Sequence, residues 1–261
     1  MIRPVMICAA LLVAQTAASY AGQLPANTSP ASAAPPTASQ VEKMQAQLLD
    51  WPDLNRYRAD DAALPPPAAG EERVVFFGDS ITDGWGRRPG TGSFFPGKPY
   101  VNRGISGQTT PQMLVRFEQD VVHLHPAAVV ILAGTNDIAG NTGPSTPQMI
   151  EDNFTAMAAI AKQSGIKLVL ASITPAYVYP WKPGVSPVAE IRSMNQWLRD
   201  FCSSNGCVYL DYYTAMSDEK GAMRPGLSFD GVHPTAKGYA IMAPLAEQAI
   251  AKALGHGVSG N

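Results

Sequence analysis

Charge is scarce in this sequence. Asp, Glu, Lys and Arg make up 15% of its 261 residues, and the formal net charge is -2. A chain that neutralises many phosphates carries a clear lysine and arginine excess, so nucleic acid is excluded as the main partner. Cysteine is scarcer still, with three in all: Cys8, Cys202 and Cys207. The last two alone cannot complete a structural zinc site. The run from Val5 to Val13 is apolar but shorter than the about 20 residues that a membrane-spanning helix needs. Signature motifs are missing too. There is no phosphate loop, no dinucleotide glycine fingerprint and no His-Glu-x-x-His metal motif. Gly-x-Ser-x-Gly is absent because Thr82 stands where its second glycine would be, which argues against the nucleophile elbow of α/β-hydrolases.

What is present is enough apolar material for a full core, 46% hydrophobic residues. Arg3, the apolar run after it and the small residues through Ala21 read as a secretory signal peptide over residues 1–21, the alternative being an uncleaved anchor. Its removal takes away Arg3 and no acid, so the charge becomes 18 − 21 = -3. Export, to a periplasm or to the outside, is the expected destination, with no stable membrane insertion afterwards. In that setting Cys202 and Cys207 either form a local disulfide or remain two thiols, and an oxidising compartment favours the bridge.

Residues 22–38 are rich in Pro, Ala, Ser and Thr and read as a flexible tether. Residues 39–72 follow as a helical segment in which Leu49, Trp51, Leu54 and Tyr57 are expected to dock on the main domain, residues 73–254. Residues 255–261 are a tail. Within the main domain, strands are expected at Val74–Phe77, Tyr100–Asn102, Ala128–Leu132, Lys167–Ala171 and Val208–Leu210. Helical patterns lie between them at Pro111–Val122, Pro147–Ser164 and Pro187–Ser203, with a last helix from about Ala236 to Leu254. Apolar strands alternating with helices indicate a parallel sheet covered on both faces. Functional groups in such sheets gather at the carboxyl ends of the strands.

Four motifs fall at strand or loop ends where one cleft should form. Gly78-Asp79-Ser80 closes the first strand; Ser80 there either caps a helix or exposes its hydroxyl beside unpaired backbone N–H groups. Asn102-Arg103-Gly104 closes the second, where the glycine makes a turn or offers its N–H to a substrate. Gly134-Thr135-Asn136-Asp137 closes the third, and the Asn136 amide either donates to an oxyanion or makes a turn. Asp230-Gly231-Val232-His233 precedes the last helix, and a carboxylate three residues before an imidazole can fix its tautomer. Together they supply a nucleophile, a base with its orienting acid, and oxyanion donors. The other histidines, His123, His125 and His256, read as solvated or helix-end residues.

On these residues the chain resembles the SGNH hydrolase superfamily, also called GDSL esterases and lipases. The name letters match Ser80, Gly104, Asn136 and His233 in order, and Asp230 matches the family's acid. Ile81 stands in place of the usual leucine. The match runs from about Arg73 to Leu254. The resemblance implies an α/β fold, a flavodoxin-like three-layer α/β/α sandwich with a central parallel sheet. It also implies ester hydrolysis by an acyl-enzyme route with no metal and no cofactor.

The absence of a long apolar lid favours short acyl groups, such as acetyl on a carbohydrate. A lysophospholipase, a thioesterase and a non-catalytic envelope-binding module are the alternatives. Arg103 either binds an anionic group or pairs with an acid. Tyr177, Tyr179 and Trp181, on the segment Thr174–Pro187, either line the cleft or pack as a surface loop. The glycine-rich stretch Gly84–Gly97, with Trp85, Arg87 and Arg88, is a second candidate wall. Oligomeric state is not legible in the sequence.

Overall fold

A computed structural model of the chain describes residues 35–256. The expected signal peptide, the tether up to residue 34 and most of the tail lie outside the described residues. Two compact units divide at Glu42 and Lys43. The first is described only from residue 35 and holds the start of helix α1 (Ala38–Leu49); the second, Lys43–Asn261, holds every feature that follows.

Five parallel strands form one sheet: β1 (Val74–Gly78), β2 (Tyr100–Gly104), β3 (Ala128–Leu132), β4 (Lys167–Ala171) and β5 (Val208–Leu210), in spatial order β2-β1-β3-β4-β5. That order is the doubly wound, flavodoxin-like arrangement. All five residues of β1 and of β3 are buried, because both faces of the sheet are covered. Alternation along each strand divides them between two cores: Val75, Phe77, Val129 and Ile131 face one layer, and Val74, Phe76, Val130 and Leu132 the other.

The connecting helices are α2 (Arg58–Ala63), α3 (Ser80–Gly84), α4 (Thr110–Asp120), α5 (Thr135–Ile138), α6 (Pro147–Gln163), α7 (Val188–Asn205), α8 (Tyr212–Met216) and α9 (Ala236–Leu254). Several begin on signals visible in the sequence. Thr146 and Thr235 accept from the backbone N–H groups of Met149 and Gly238, and Thr109 and Gln112 form a reciprocal capping box. Helix α7 ends at Gly206, which takes φ of 73°. Cys202 and Cys207 are joined by a disulfide across that turn, with Cα atoms 4.5 Å apart, so the helix end is tied to the start of β5.

The order in which successive strands are laid down reverses at β1, whose chain neighbour β2 lies on one side and β3 on the other. The carboxyl ends of β1 and β3 therefore frame a crevice, and Ser80 and Asn136 follow those two ends directly. The segment before β1 docks less completely than its apolar residues suggest. Tyr57 is 1% exposed, but Leu49 is 88% and Trp51 42% exposed. Polar contacts do the holding: the Gln108, Gln112 and Gln119 side-chain amides donate to the carbonyls of Pro52, Trp51 and Leu54. Among the described residues no helix is long and apolar enough to cross a membrane.

Candidate active site

Ser80 opens α3, so its backbone N–H is one of the donors that a helix start leaves without an intrahelical partner. The turn into α3 is tight. A Cβ on Gly78 would sit 2.2 Å from Thr82 Oγ1 and 2.7 Å from the Leu132 carbonyl, so only glycine fits. Asp79 caps the helix by accepting from Ile81 N–H at 2.9 Å. Full burial is the main cause that pushes its carboxyl up to about 6, against the lowering influence of that N–H and of His233.

His233 reaches this point from 153 residues further along. Ser80 Oγ lies 2.9 Å from His233 Nε2, and His233 Nδ1 lies 2.7 Å from Asp230 Oδ2. Asp230 Oδ1 accepts from the N–H groups of Val232 and His233, at 3.1 and 2.8 Å. The loop thus holds acid and imidazole in one rigid turn. Partial burial works to raise the Asp230 carboxyl pKa, but the hydrogen bonds from His233 and Val232 and the charge of His233 outweigh it and hold the group below its usual value.

Asn136 is 2% exposed, at the start of α5. Its amide nitrogen donates to the Gln108 carbonyl at 2.9 Å, and its oxygen accepts from Asn141 Nδ2 at 2.9 Å. Both contacts fix the amide and leave one N–H of the pair without an acceptor among the described residues. Asn141 in turn accepts from Trp181 Nε1 at 3.1 Å, and the Trp181 ring lies 5.9 Å from that of His233. These groups surround a hollow of about 640 Å³ lined by Ser80, Asp83, Gly107, Asn136, Trp181 and His233, among others. Another hollow, about 430 Å³, lies beside Lys162, Lys167 and Cys207, at the amino ends of β4 and β5. Among the described residues no three His, Cys, Asp or Glu side chains gather as a metal-holding group.

One expectation needs correction, and the structure decides two that the sequence left open. Gly104 is the last residue of β2, paired with Gly78 across the sheet, not a residue beyond the strand. Its N–H donates to Asn102 Oδ1 at 3.0 Å and so is not free for an oxyanion, while its carbonyl accepts from Tyr57. Its missing side chain lets α3 pack closely, since a Cβ there would come within 2.1 Å of Asp83 N. The glycine that lines the hollow is Gly107, at φ of 83°, whose N–H has no acceptor among the described residues. Arg103 is 5% exposed and turned away from the hollow; it pairs with Asp61 at 2.6 Å and covers the Tyr57 ring at 4.7 Å. Tyr179 is 1% exposed and accepts from Thr135 Oγ1 at 2.9 Å, so it backs Trp181 without meeting the hollow. Tyr177 is exposed, but only Trp181 of the three aromatic candidates lines the hollow.

Arg116 was not singled out in the sequence, although it organises the site from below. Its side chain is 0% exposed. It donates to the carbonyls of Gly78 and Arg103 at 3.0 and 2.9 Å, to Gln108 Oε1 at 2.5 Å and to Asp120 at 3.0 Å. It therefore ties the ends of β1 and β2 to the residue whose carbonyl orients Asn136. A lone arginine on a helix gives no signal of this in one sequence.

A flavodoxin-like sandwich with a serine, an imidazole and a carboxylate in hydrogen-bonded series at its crevice defines the SGNH class of hydrolase. The chain belongs to the GDSL-like Lipase/Acylhydrolase family, whose pattern matches residues 76–241. A crystal structure of a GDSL-like lipase from Bacteroides thetaiotaomicron is 43% identical, with a TM-score of 0.74, and covers 77% of this chain and 98% of that one. A Bacteroides fragilis crystal structure is likewise 43% identical, with a TM-score of 0.75, over 78% of this chain and 99% of that one. An acetylxylan esterase from Geobacillus stearothermophilus is 27% identical over 204 residues, 66% of this chain and 90% of that protein. Family and relatives together support a carboxylic ester hydrolase.

Proposed function

We propose that the protein is an exported serine esterase that removes short acyl groups, such as acetyl, from a carbohydrate through an acyl-enzyme. The observation that carries this reading is the continuous series Ser80 Oγ, His233 Nε2, His233 Nδ1, Asp230 Oδ2, with contacts of 2.9 and 2.7 Å. His233 takes the Ser80 proton as the oxygen attacks the ester carbonyl. The N–H groups of Ser80 and Gly107 and the free amide hydrogen of Asn136 receive the oxyanion. Asp230 stabilises the imidazolium, which then protonates the leaving alcohol as the carbonyl reforms. Water repeats the sequence, with His233 taking its proton and returning one to Ser80 as the acid leaves. In this reading every proton transfer is handled by Ser80, His233 and water, and no step calls for a metal.

Short acyl groups suit a hollow lined by polar residues, glycines and Trp181, with no aliphatic side chain to hold a long chain, and the exposed Trp181 offers a flat face for a sugar ring. The acetylxylan esterase relative supports the same reading. The test is a series of p-nitrophenyl esters from acetate to palmitate beside acetylated sugars, with wild type and Ser80→Ala. The expected result is hydrolysis of acetate over long chains, abolished in the variant. Full activity of Ser80→Ala would overturn the assignment.

A further inference from the structure

Charge is unevenly spread around the hollow. Arg56, Arg87 and Arg88 line it, against Asp83 outside the triad, in a chain whose net charge is -2. The three arginines are not equivalent. Arg87 is committed to internal partners: Tyr57 Oη at 2.6 Å, Asp83 at 3.0 Å and the Asn102 carbonyl at 2.9 Å. Asp83 is equally committed, since it also accepts from Ser106 Oγ at 2.7 Å. Arg56 touches Asp83 only at 3.6 Å, with its side chain 45% exposed, a loose surface pair that a ligand can displace. Arg88 has no carboxylate partner among the described residues. Its guanidinium lies 4.8 Å over the ring of Phe229, the residue before Asp230, which holds the charge beside the catalytic loop.

We propose that this basic rim recognises an anionic group on the substrate, so that the preferred ester is an O-acylated saccharide carrying a carboxylate or phosphate. The proposal rests on the esterase reading above. Arg88 and Arg56 would hold the anion through charge-assisted, planar hydrogen bonds, while Trp181, which lines the same hollow, would face the sugar. The excess of arginines over acids in this one cleft also raises the local concentration of an anionic ligand. Arg56 lies before the family-matched residues 76–241, on the segment pinned by Tyr57 to the Gly104 carbonyl and by Gln108 to the Pro52 carbonyl. Acid recognition is thus a property that this chain builds partly from its own N-terminal segment.

The test measures acetate release from two matched pairs: O-acetylated trigalacturonate against the same compound with its carboxylates converted to amides, and O-acetylglucose 6-phosphate against O-acetylglucose. Wild type should favour the anionic member of at least one pair by about tenfold in kcat/KM at low salt. That preference should shrink in about 0.5 M NaCl. The pair that shows it names the anion. In Arg56→Gln/Arg88→Gln, with folding checked by thermal melting, the ratio should fall to about one. A wild-type ratio of one in both pairs, with p-nitrophenyl acetate still hydrolysed, overturns this proposal alone. A preference that survives the double substitution overturns it as well. Failure of wild type on p-nitrophenyl acetate and on all four sugars overturns the esterase reading and this one with it.

Discussion

Replacing Arg116 by methionine tests the claim that a buried guanidinium holds the strand ends on which the site is built. The side chain and its partner Asp120 are 0% and 1% exposed, so water cannot take over when the arginine goes. Breaking a buried pair from one side costs about 3–5 kcal/mol, because the other charge is left uncompensated. The Gly78 and Arg103 carbonyls lose a donor at the same time, each worth about 1–3 kcal/mol if nothing replaces it. Gly78 keeps the N–H of Ile105 at 2.9 Å, so its loss falls at the low end. A drop of about 4 kcal/mol or more is expected, against a total stability of about 5–15 kcal/mol for an ordinary domain. Equilibrium urea unfolding measures it. The double variant Arg116→Met/Asp120→Leu removes the stranded carboxylate too and should recover about 2 kcal/mol. In both variants kcat on p-nitrophenyl acetate should fall, because Gln108 loses the contact that steadies it beneath Asn136. A single variant within about 1 kcal/mol of wild type, with full kcat, would refute the reasoning.

Asn136→Ala should lower kcat by about 10²–10³ with little change in KM, since in the proposed mechanism the lost N–H acts on the developing oxyanion; a raised KM with kcat intact contradicts that role. Asp79→Asn should change the pH dependence of stability. Burial raises the folded-state carboxyl to about 6, above its unfolded value of 3.8, so the folded protein holds that proton more tightly. The resulting stability is fully present below pH 3.8 and is lost as pH rises through about 6, roughly 3 kcal/mol over the window. Asparagine can still cap α3 but does not titrate, so the difference between the two unfolding curves should grow from pH 4 to 6; a constant difference would show that Asp79 is not the cause.

Much of the architecture was legible because it rests on local signals. The runs Val74–Gly78 and Ala128–Leu132 are apolar throughout, as strands covered on both faces must be. The meeting of Ser80 and Asn136 with the Asp230–His233 pair was legible because few residue types at a strand exit, or in the turn before a helix, can build such a cluster. The misassignments all turn on direction or on distant partners. Gly104 and Gly107 are three apart, and only the extent of β2 decides which one lies in the sheet and which beyond it. Arg103 faces Asp61, 42 residues earlier, and nothing near either residue announces the contact. Tyr179 and Trp181 are two residues apart in a loop, yet one is buried and the other exposed, since the buried hydroxyl found Thr135. Arg56 reaches the hollow only because Tyr57 beside it is buried under three guanidinium groups, an arrangement with no sequence period.

The central claim is that Ser80, activated by His233, is the one nucleophile of this chain. Treatment with a fluorophosphonate probe, followed by intact-mass and peptide mass spectrometry, measures this without knowledge of the natural substrate. The account predicts a single adduct per chain on the peptide containing Ser80, and none in His233→Ala over the same time. No adduct on the folded wild-type protein, or an adduct at another residue with Ser80 unmodified, would contradict it.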